Sequence, residues 1–259
     1  MISFPFSING VPTFNFPDKT SELEKKKFAR EILQKNKNIK TIVEKSKKFS
    51  GRLRKMKTRF LAGEKTKEVL YRENGCIFRF NIDSTYFSPR LSNERKELAK
   101  KINSGKVFVG FAGVAPFSIV IAKNSKVENV YSNEINREAN KYAKLNVELN
   151  KLKNKVEIVQ GDFKQIAEKF RKQKIKFDFV VMPRPQLKDS FLDDAFKISK
   201  KGTKIFYYDF CKIEDIEKIV EKIKSEAKKS KKKIKILQVK QAGEIAPYKI
   251  RCRVEFAII

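Results

Sequence analysis

The sequence predicts an α/β protein in which a small basic α+β region precedes a larger domain built on a parallel sheet. From Lys106 to the end of the chain, apolar segments of strand length alternate with segments of helix length. Such alternation is typical of βαβ units, whose strands lie parallel. Residues 21–60 hold instead 15 Lys and Arg against four Glu, and the chain changes character near residue 85. We therefore expect one region over residues 1–84 and a second over residues 85–259.

The first region contains one helix signal and one hairpin signal. The segment SELEKKKFAREILQ predicts a basic amphipathic helix, because its apolar residues recur near helical spacing. These apolar residues are Leu23, Phe28, Ile32 and Leu33. Farther on, Phe78, Phe80 and Ile82 alternate at the strand period. The pair Asn74-Gly75 precedes them as a turn, so this segment predicts a β-hairpin.

The second region repeats a strand followed by a helix. The predicted strands are, in chain order, KVFVGF, VENVYSNE, KVEIVQGD, FDFVVM and TKIFYYDF. The predicted helices between them are PFSIVIAK, a segment from Asn136 onward, FKQIAEKFRK and SFLDDAFKIS. After a last helix, IEDIEKIVEKIKSEAKK, we expect KIKILQVKQ and YKIRCRVEFAI to close the sheet as an antiparallel pair.

The charge of the chain favours a polyanionic partner. Among 259 residues, Lys and Arg number 60 and Asp and Glu number 30, a formal charge of +30. A heat-adapted surface would enrich both signs together, so nucleic acid is the favoured partner and an anionic membrane surface ranks below it. No apolar run of 18 residues and no cleavable signal pattern occurs in the sequence, which predicts a cytoplasmic protein without a membrane span.

Histidine is absent and the three cysteines form no CxxC pair. These facts exclude His-based catalytic triads and argue against a Cys/His zinc site or a disulfide framework. We expect no metal. Any general base must be a carboxylate, a Lys or a Tyr.

Three consecutive strand ends carry the residues of a nucleoside site. The loop GFAGVAP, in which Gly113 permits close backbone approach, follows the first strand of the sheet, and Pro116 is placed to open the next helix. Glu134 ends the second strand, where a carboxylate typically binds a ribose diol. Asp162 ends the third strand, where it can accept a hydrogen bond from an adenine amino group. An adenosyl ligand is favoured over a merely structural set of turns, and the absence of the pyrophosphate glycines favours S-adenosylmethionine over NAD.

The segments FAGVAPFSI, YSNEIN, VQGD and especially YFSPRLSNER resemble the archaeal and eukaryotic tRNA (guanine37-N1)-methyltransferases and the related wyosine-pathway tRNA enzymes. The resemblance covers about residues 50–259. It implies a class I, Rossmann-like methyltransferase domain that uses S-adenosylmethionine. It also implies a tRNA partner bound at the anticodon loop, where position 37 lies. We expect the protein to act as a monomer.

The resemblance also implies roles for individual residues. Glu94 of SPRLSNER is expected to be the general base at the guanine, and Arg54 to help hold the target base as a second catalytic residue. The residues expected to bind the cofactor are Arg95, Phe111, Gly113, Glu134, Ile135, Asp162 and Phe163. The residues expected to bind the substrate are Tyr86, Phe87, Arg90, Pro183, Arg184 and Pro185.

Chemistry supports some of these roles and offers structural alternatives. Guanine N1 carries a proton at neutral pH, so its methylation needs a base, and Glu94 near Ser92, a natural N-cap, falls in the first turn of a helix. Favourable interaction with the helix N-terminus is the alternative role for that carboxylate. Arg54 and Arg90 also suit phosphate contacts or ion pairs. Tyr86 and Phe87 suit either stacking on an extruded base or core packing.

The strand FDFVVM runs directly into Pro183-Arg184-Pro185, which removes two backbone donors. This is either a plain strand terminator or the wall of the target-base pocket, where the family usually has Asn-Leu-Pro. A Pro-x-Pro version is typical of an archaeal subgroup that also methylates C7 of 4-demethylwyosine. The family's Phe-Leu a few residues on is matched by Phe191-Leu192.

Two departures from the family pattern leave a second hypothesis open. The first strand ends in Val109-Gly110 where the family usually has Asp, and the family's tRNA elbow-reading domain is expected to be absent or vestigial. Val109 and Pro183 motivate a catalytically silent RNA-binding protein on a methyltransferase scaffold, whereas a missing elbow-reading domain implies looser discrimination among tRNAs. The favoured hypothesis is an active tRNA methyltransferase, because Glu94, Glu134 and Asp162 are all present.

Overall fold

The computed structural model describes residues 3–8, 11–50, 53 and 55–259, and it divides into two compact units. The first unit comprises Met1–Glu73 and Ile77–Pro89, and the second comprises Asn74–Cys76 and Arg90–Ile259. The structural division therefore follows Pro89, a little beyond the change of character seen in the sequence.

The first unit contains a four-stranded sheet and one long helix. Its strands are β1 (Ser3–Ile8), β2 (Val11–Asn15), β3 (Thr41–Ser50) and β4 (Lys55–Gly63), ordered β1-β2-β3-β4 with β2 and β3 parallel. Helix α1 (Glu22–Lys35) begins with a capping box between Ser21 and Glu24. Phe28, Ile32 and Leu33 pack against the core, which confirms the predicted amphipathic helix, although Leu23 is 81% exposed.

The predicted hairpin is confirmed. Strands β5 (Glu68–Glu73) and β6 (Cys76–Asn81) pair across Asn74 and Gly75, whose φ angles are 49° and 73°. Positive φ at both central residues is typical of a two-residue hairpin turn, and Asn-Gly is the sequence that tolerates it best. Phe78 and Phe80 face inward and are buried.

The second unit is an α/β domain on a seven-stranded sheet, which confirms the predicted fold class. The strands are β7 (Lys106–Val109), β8 (Asn129–Glu134), β9 (Val156–Gln160), β10 (Phe177–Met182), β11 (Ser199–Lys212), β12 (Ile234–Ala246) and β13 (Lys249–Ile258). They are ordered β12-β13-β11-β10-β7-β8-β9. Strands β7 to β11 are parallel, and β13 pairs antiparallel with both β11 and β12, as the closing pair was predicted to do.

Helices connect these strands. They are α2 (Ser92–Lys101), α3 (Pro116–Asn124), α4 (Arg137–Leu149), α5 (Phe163–Lys172), α6 (Leu192–Lys197) and α7 (Ile216–Lys229). Helix α3 has Pro116 at its first position, as predicted. Across the described residues, no helix combines the length and the apolar character needed to cross a membrane.

The strand order positions a site. Strand β7 lies at the centre, with β8 and β9 on one side and β10 and β11 on the other, so the chain leaves β7 and β10 in opposite directions. In open α/β sheets a ligand binds in the crevice beyond the carboxyl ends of the strands at such a reversal. The loop after β7, the ends of β8 and β9, and the Pro-Arg-Pro segment after β10 all lie along this carboxyl edge.

Candidate active site

The loop after β7 is held in an unusual backbone conformation. Phe111, Gly113 and Ala115 have φ angles of 54°, 58° and 66°, and left-handed conformations of non-glycine residues are uncommon. The side chain of Asn146, buried in α4, donates a hydrogen bond of 3.1 Å to the carbonyl of Val114. The loop is therefore fixed from the neighbouring helix in the strained form often found at ligand sites.

Glu134 meets this loop at the end of β8. The amide of Gly113 donates to Oε2 of Glu134 and the amide of Asn136 donates to Oε1, each at 2.8 Å. Burial raises the pKa of the Glu134 carboxyl, and the amides of Asn136, Gly113 and Ile135 lower it by a smaller amount. Each oxygen of an ionised carboxylate can accept a second hydrogen bond. The geometry therefore fits a pair of adjacent hydroxyls such as a ribose diol.

Asp162 follows β9 and caps helix α5. Its Oδ1 accepts a 2.8 Å hydrogen bond from the amide of Lys164, which is an ordinary N-cap interaction. The side-chain amide of Asn133 donates to the carbonyls of Val159 and Gly161 at 3.0 Å each, so it fixes the end of β9. The adenine contact expected of Asp162 stays a prediction beside this capping role.

Three aromatic rings meet at the same edge. Phe111 and Phe163 are stacked with their centroids 5.0 Å apart and their planes at 4°, and Phe191 meets them edge-on at 5.1 and 5.8 Å. A Cβ atom at Gly110 would lie 2.3 Å from the Phe163 ring. The glycine that replaces the family's usual Asp therefore has a steric reason, because the ring occupies the space of a side chain.

Glu94 lies in the first turn of α2 and is 6% exposed. The hydroxyl of Tyr208 donates to Oε1 of Glu94 at 2.7 Å, and the guanidinium of Arg253 forms an ion pair with the same oxygen. The predicted N-cap role of Ser92 is wrong, since Leu91 is the cap residue and Ser92 is the first helical residue. The fold thus holds this carboxylate through the sheet and not through a cap at its own helix.

Strand pairing places Glu94 near the Pro-Arg-Pro segment. Tyr207 pairs with Met182, the last residue of β10, so Tyr208 lies level with Pro183 on the neighbouring strand. Tyr208 also pairs with Arg253 on β13. The two side chains that hold Glu94 are therefore at the carboxyl edge, beside the predicted pocket wall.

Arg253 is fully buried among acidic groups. Besides Glu94, its guanidinium pairs with Glu97, at 2.7 Å, and with Glu255. Burial alone would lower the pKa of Arg253, but Tyr208 and the surrounding carboxylates raise it above its ordinary value. Partial burial raises the pKa of Glu97, yet its partners Lys240 and Arg253 outweigh this and bring it to about 2.

Pro183 turns the chain sharply at the end of β10. The amide of Arg184 donates to the carbonyl of Met182 at 2.7 Å, which closes a three-residue turn around Pro183. Pro183 and Pro185 are half-buried. A pocket wall made of these two prolines offers carbonyls and ring carbons but no amide donor.

Both terminal nitrogens of the Arg184 guanidinium are bonded within the chain, whereas its buried Nε has no partner among the described residues. It is 1% exposed, and its Nη1 lies 2.6 Å from Oδ1 of Asp209 at the far end of β11. Its Nη2 donates to the carbonyls of Leu187 and Asp189. These contacts favour a role in shaping the segment after β10 over direct contact with a substrate.

The remaining predicted residues are distributed over both units. In the second unit, Arg95 is 1% exposed and lies over the Phe117 ring at 5.6 Å, Ile135 is half-buried, and Arg90 is exposed. Tyr86, in the first unit, is half-buried. Arg54 lies outside the described residues.

The stacking role suggested for Phe87 is not what the structure supports. Phe87 is 3% exposed and belongs to the core of the first unit. Its ring stacks on Phe80 at 4.7 Å and also contacts Phe78 and Tyr71. The core-packing alternative accounts for this side chain.

Sequence reasoning missed Tyr208, Asp209 and Arg253. A signal was present in β13, where charged residues, Arg253 and Glu255 among them, alternate with the apolar residues Ile250, Cys252, Val254, Phe256 and Ile258. Charged residues in a buried strand are rare unless they are paired. Across the described part of the chain, no group of three or more His, Cys, Asp or Glu is arranged to hold a metal ion.

Comparison with known proteins identifies a family, curated relatives and solved structures that this chain resembles. Residues 69–237 match the family model described as the TRM5/TYW2 methyltransferase domain. The chain is 34% identical over 235 residues to the tRNA (guanine(37)-N(1))-methyltransferase Trm5b of Pyrococcus abyssi, covering 90% of this chain and 68% of that protein. It is 31% identical to the tRNA (guanine(37)-N(1))/4-demethylwyosine(37)-methyltransferase Taw22 of Nanoarchaeum equitans, covering 90% of this chain and 93% of that protein.

A solved structure is similar over the whole chain. The complex of aTrm5 with tRNALeu superposes with a TM-score of 0.85 at 28% identity, covering 100% of this chain and 73% of that one.

Proposed function

Because the chain belongs to the TRM5/TYW2 methyltransferase family, we propose that it transfers the methyl group of S-adenosylmethionine to the base at position 37 of tRNA. The observation that carries this function is the setting of Glu94. It is a buried carboxylate at the carboxyl edge of a methyltransferase sheet, inside the YFSPRLSNER motif, with one oxygen held by Tyr208 and Arg253.

One group of residues at the sheet edge is proposed to bind the cofactor. When bound, S-adenosylmethionine supplies an electrophilic methyl group on a sulfonium. Glu134 accepts hydrogen bonds from the ribose hydroxyls, and the rings of Phe111 and Phe163 provide apolar surface for the adenosyl group. The strained loop around Gly113 brings the backbone close to the ligand.

Glu94 acts on the guanine. Its carboxylate takes the proton from N1, and the electron pair of the N1–H bond stays on the nitrogen. With S-adenosylmethionine bound, that pair would form the bond to the methyl carbon, and the carbon–sulfur pair would leave with sulfur as a neutral thioether. The charges balance, because the carboxylate and the sulfonium are both neutralised as N1-methylguanine forms. In-line positioning supplies much of the remaining rate enhancement.

The way in which tRNA is bound follows from the charge of the protein and from the single-stranded anticodon loop. A formal charge of +30 suits a polyphosphate backbone, so tRNA affinity is expected to fall steeply with salt. The target base lies in the single-stranded anticodon loop, where leaving the stack costs little. The protein acts as a monomer in the cytoplasm, where its substrate is found.

A second acceptor is favoured by the segment Pro183-Arg184-Pro185 and by the similarity to Taw22 over 93% of that protein. This acceptor is C7 of 4-demethylwyosine at the same position. There the ring carbon attacks the methyl group and then loses its own proton, so a base is again required. A wall without amide donors discriminates little between two bases of different hydrogen-bonding pattern.

The decisive experiment offers the protein two tRNAs that differ only at position 37. One carries guanosine and the other 4-demethylwyosine, the methyl group of S-adenosylmethionine is labelled, and the product nucleosides are identified. Labelled N1-methylguanosine supports the proposed function, and label on both nucleosides supports the dual acceptor. The variant Glu94→Gln is expected to keep cofactor affinity and to lose about 100-fold or more in rate.

The same experiment can also contradict the proposed methyl transfer. No label on either tRNA, together with no heat of binding for S-adenosylmethionine, would leave the silent RNA-binding hypothesis in place. Guanosine alone as acceptor would make Pro183-Arg184-Pro185 a structural replacement in an enzyme specific for N1.

A further inference from the structure

We propose that Tyr208 and Arg253 are positioning residues that hold Glu94 by Oε1 and so assign Oε2 as the oxygen that accepts the substrate proton. This inference rests on the proposed function, in which Glu94 is the base. Tyr208 and Arg253 touch neither tRNA nor cofactor in this scheme and act only through Glu94.

The division between the two carboxylate oxygens is the first argument. Tyr208 Oη donates to Oε1 at 2.7 Å, and Arg253 Nη1 pairs with the same atom. Among the residues that the structure describes, none forms a hydrogen bond with Oε2. An ionised carboxylate has about four acceptor sites. Because both donors bind Oε1, Oε2 remains available to accept the proton from the substrate.

The second argument is the rigidity of the two donors. Tyr208 is fully buried, and its ring packs against Phe117 at 5.9 Å. Arg253 is also fully buried, and its guanidinium is held from the other side by Glu97 and Glu255. Neither donor can follow Glu94 if that side chain rotates, so Oε1 stays where the sheet places it.

The third argument is the cost of the arrangement. A buried arginine surrounded by three carboxylates is a poor way to stabilise a fold, because apolar residues of similar volume often do as well or better. The contacts join Glu94 to residues 114 and 159 positions away in the sequence. A network this costly is better explained by the geometry that it gives to Glu94 than by stability alone.

The position of the proton acceptor matters greatly for rate. Displacing a reacting group by about 1 Å can cost on the order of 100-fold. Without the Tyr208 hydroxyl, Glu94 keeps one donor on Oε1 and can rotate about it. We therefore expect the chemical step to slow while both ligands still bind.

The test compares four variants with the wild-type protein. Tyr208→Phe removes the hydroxyl, which donates to Glu94 and also interacts with Arg253, and keeps the ring. Thr203→Val is the matched control, because it removes another fully buried hydroxyl from β11 that donates to the carbonyl of Phe177 at 2.6 Å, at the amino end of the strand. Glu94→Gln and the double variant Tyr208→Phe/Glu94→Gln complete a double-mutant cycle, which measures whether Tyr208 acts through Glu94.

The readout is the single-turnover rate of methyl transfer to guanosine-37 tRNA at saturating enzyme and S-adenosylmethionine. Binding of S-adenosylhomocysteine and of tRNA is measured separately. We expect Tyr208→Phe to lose about 10- to 100-fold in rate, with both affinities within about twofold of wild type. We expect Thr203→Val to keep the wild-type rate, and the double variant to be no slower than Glu94→Gln.

Two outcomes overturn the proposal. Tyr208→Phe with the wild-type rate would show that its hydroxyl does not position the base. A rate loss that repeats in full in the Glu94→Gln background would show that Tyr208 acts independently of Glu94. The conservative variant Arg253→Lys gives a second check, since it keeps the charge but not the guanidinium fork, and its rate loss must also vanish without Glu94.

Results that would refute the proposed function differ from those that would refute the positioning role of Tyr208. Wild-type protein that transfers no methyl group would refute the enzyme itself, and Glu94→Gln with full turnover would remove Glu94 as the base. Neither result depends on Tyr208. Only when Glu94→Gln is slow does the cycle measure what Tyr208 contributes.

Discussion

The two halves of the carboxyl edge hold their carboxylates by different means. In the half that we propose to bind the cofactor, called the cofactor half and formed by the loops after β7, β8 and β9, Glu134 accepts hydrogen bonds from backbone amides, and the rings of Phe111 and Phe163 stack on one another. In the ion-pair half, formed by the ends of β10 and β11 with β13 and α2, Glu94 and Asp209 are paired with the buried guanidinium groups of Arg253 and Arg184.

This difference predicts that one half determines ligand affinity and the other determines the stability of the fold. Amides satisfy Glu134 only in part, and burial raises its pKa, so a ligand that donates hydroxyl groups relieves an unfavourable state. Arg184 and Asp209 already satisfy one another, so removing one of them leaves a buried charge. Substitutions in the cofactor half should therefore weaken binding, and substitutions at Arg184 should weaken the fold.

The largest expected effect is that of Arg184→Met. It leaves Asp209 without its guanidinium and strips the carbonyls of Leu187 and Asp189 of their donor. We expect the free energy of unfolding to fall by about 3–5 kcal/mol, measured by denaturant titration.

The matched control for this prediction is Arg171→Met. Arg171 pairs with Glu168 at 2.6 Å on the exposed face of α5, where about half of its side chain is accessible. Exposed pairs contribute about 1 kcal/mol or less, so this variant should remain close to wild type. Equal losses for the two variants would contradict the distinction drawn for the ion-pair half.

The second effect is that of Glu134→Gln, on cofactor affinity. A hydrogen bond to a charged group contributes about 1.5–3 kcal/mol, so calorimetry should show S-adenosylmethionine binding roughly 10- to 100-fold more weakly. The free energy of unfolding should not fall at neutral pH, because burial without a cation disfavours the ionised carboxylate that the substitution removes. A large loss of stability with unchanged affinity would reverse the roles of the two halves.

The sequence indicated the short-range contacts of the cofactor half but not the long-range contacts of the ion-pair half, for a physical reason. Glu134 lies 21 positions from Gly113, and Asp162 lies two positions from the amide it caps. A motif can show such short spacings, which recur wherever a strand, a turn and a helix meet. The partners of Glu94 lie 114 and 159 positions away, and only the strand order brings them together.

Local rules also failed where packing decided the outcome. Ser92 was expected to cap α2, but Leu91 takes that position without a side-chain hydrogen bond. Phe87 was a candidate for base stacking, yet the rings of Phe78 and Phe80 enclose it in the core of the first unit. Neither outcome can be predicted from residue type, because each depends on which surfaces meet in three dimensions.

The third effect concerns the aromatic stack of the cofactor half. Gly110→Ala places a Cβ atom 2.3 Å from the Phe163 ring, and overpacking of this kind typically costs about 1–3 kcal/mol. We expect lower stability together with weaker S-adenosylmethionine binding, since the ring must move away from Phe111. Adding Phe163→Leu should make the Gly110→Ala substitution less costly than it is alone, and a purely additive pair would refute the steric explanation.

The smallest effect, the pH dependence of stability, compares the halves through two carboxyls whose pKa shifts have opposite signs. The pKa of Glu97, in the ion-pair half, falls from 4.5 to about 2, because Lys240 and Arg253 outweigh its partial burial. A lowered pKa contributes stability above the unfolded-state value that is lost as the pH falls. Wild type should therefore lose stability relative to Glu97→Gln between about pH 4.5 and pH 2.

Glu134 has a raised pKa, so wild type should instead lose stability relative to Glu134→Gln as the pH rises. Thermal unfolding of the three proteins from about pH 2 to well above pH 4.5 measures both slopes, that of Glu97 below pH 4.5 and that of Glu134 above it. Slopes of the same sign would show that amides and guanidinium groups hold the two carboxylates alike.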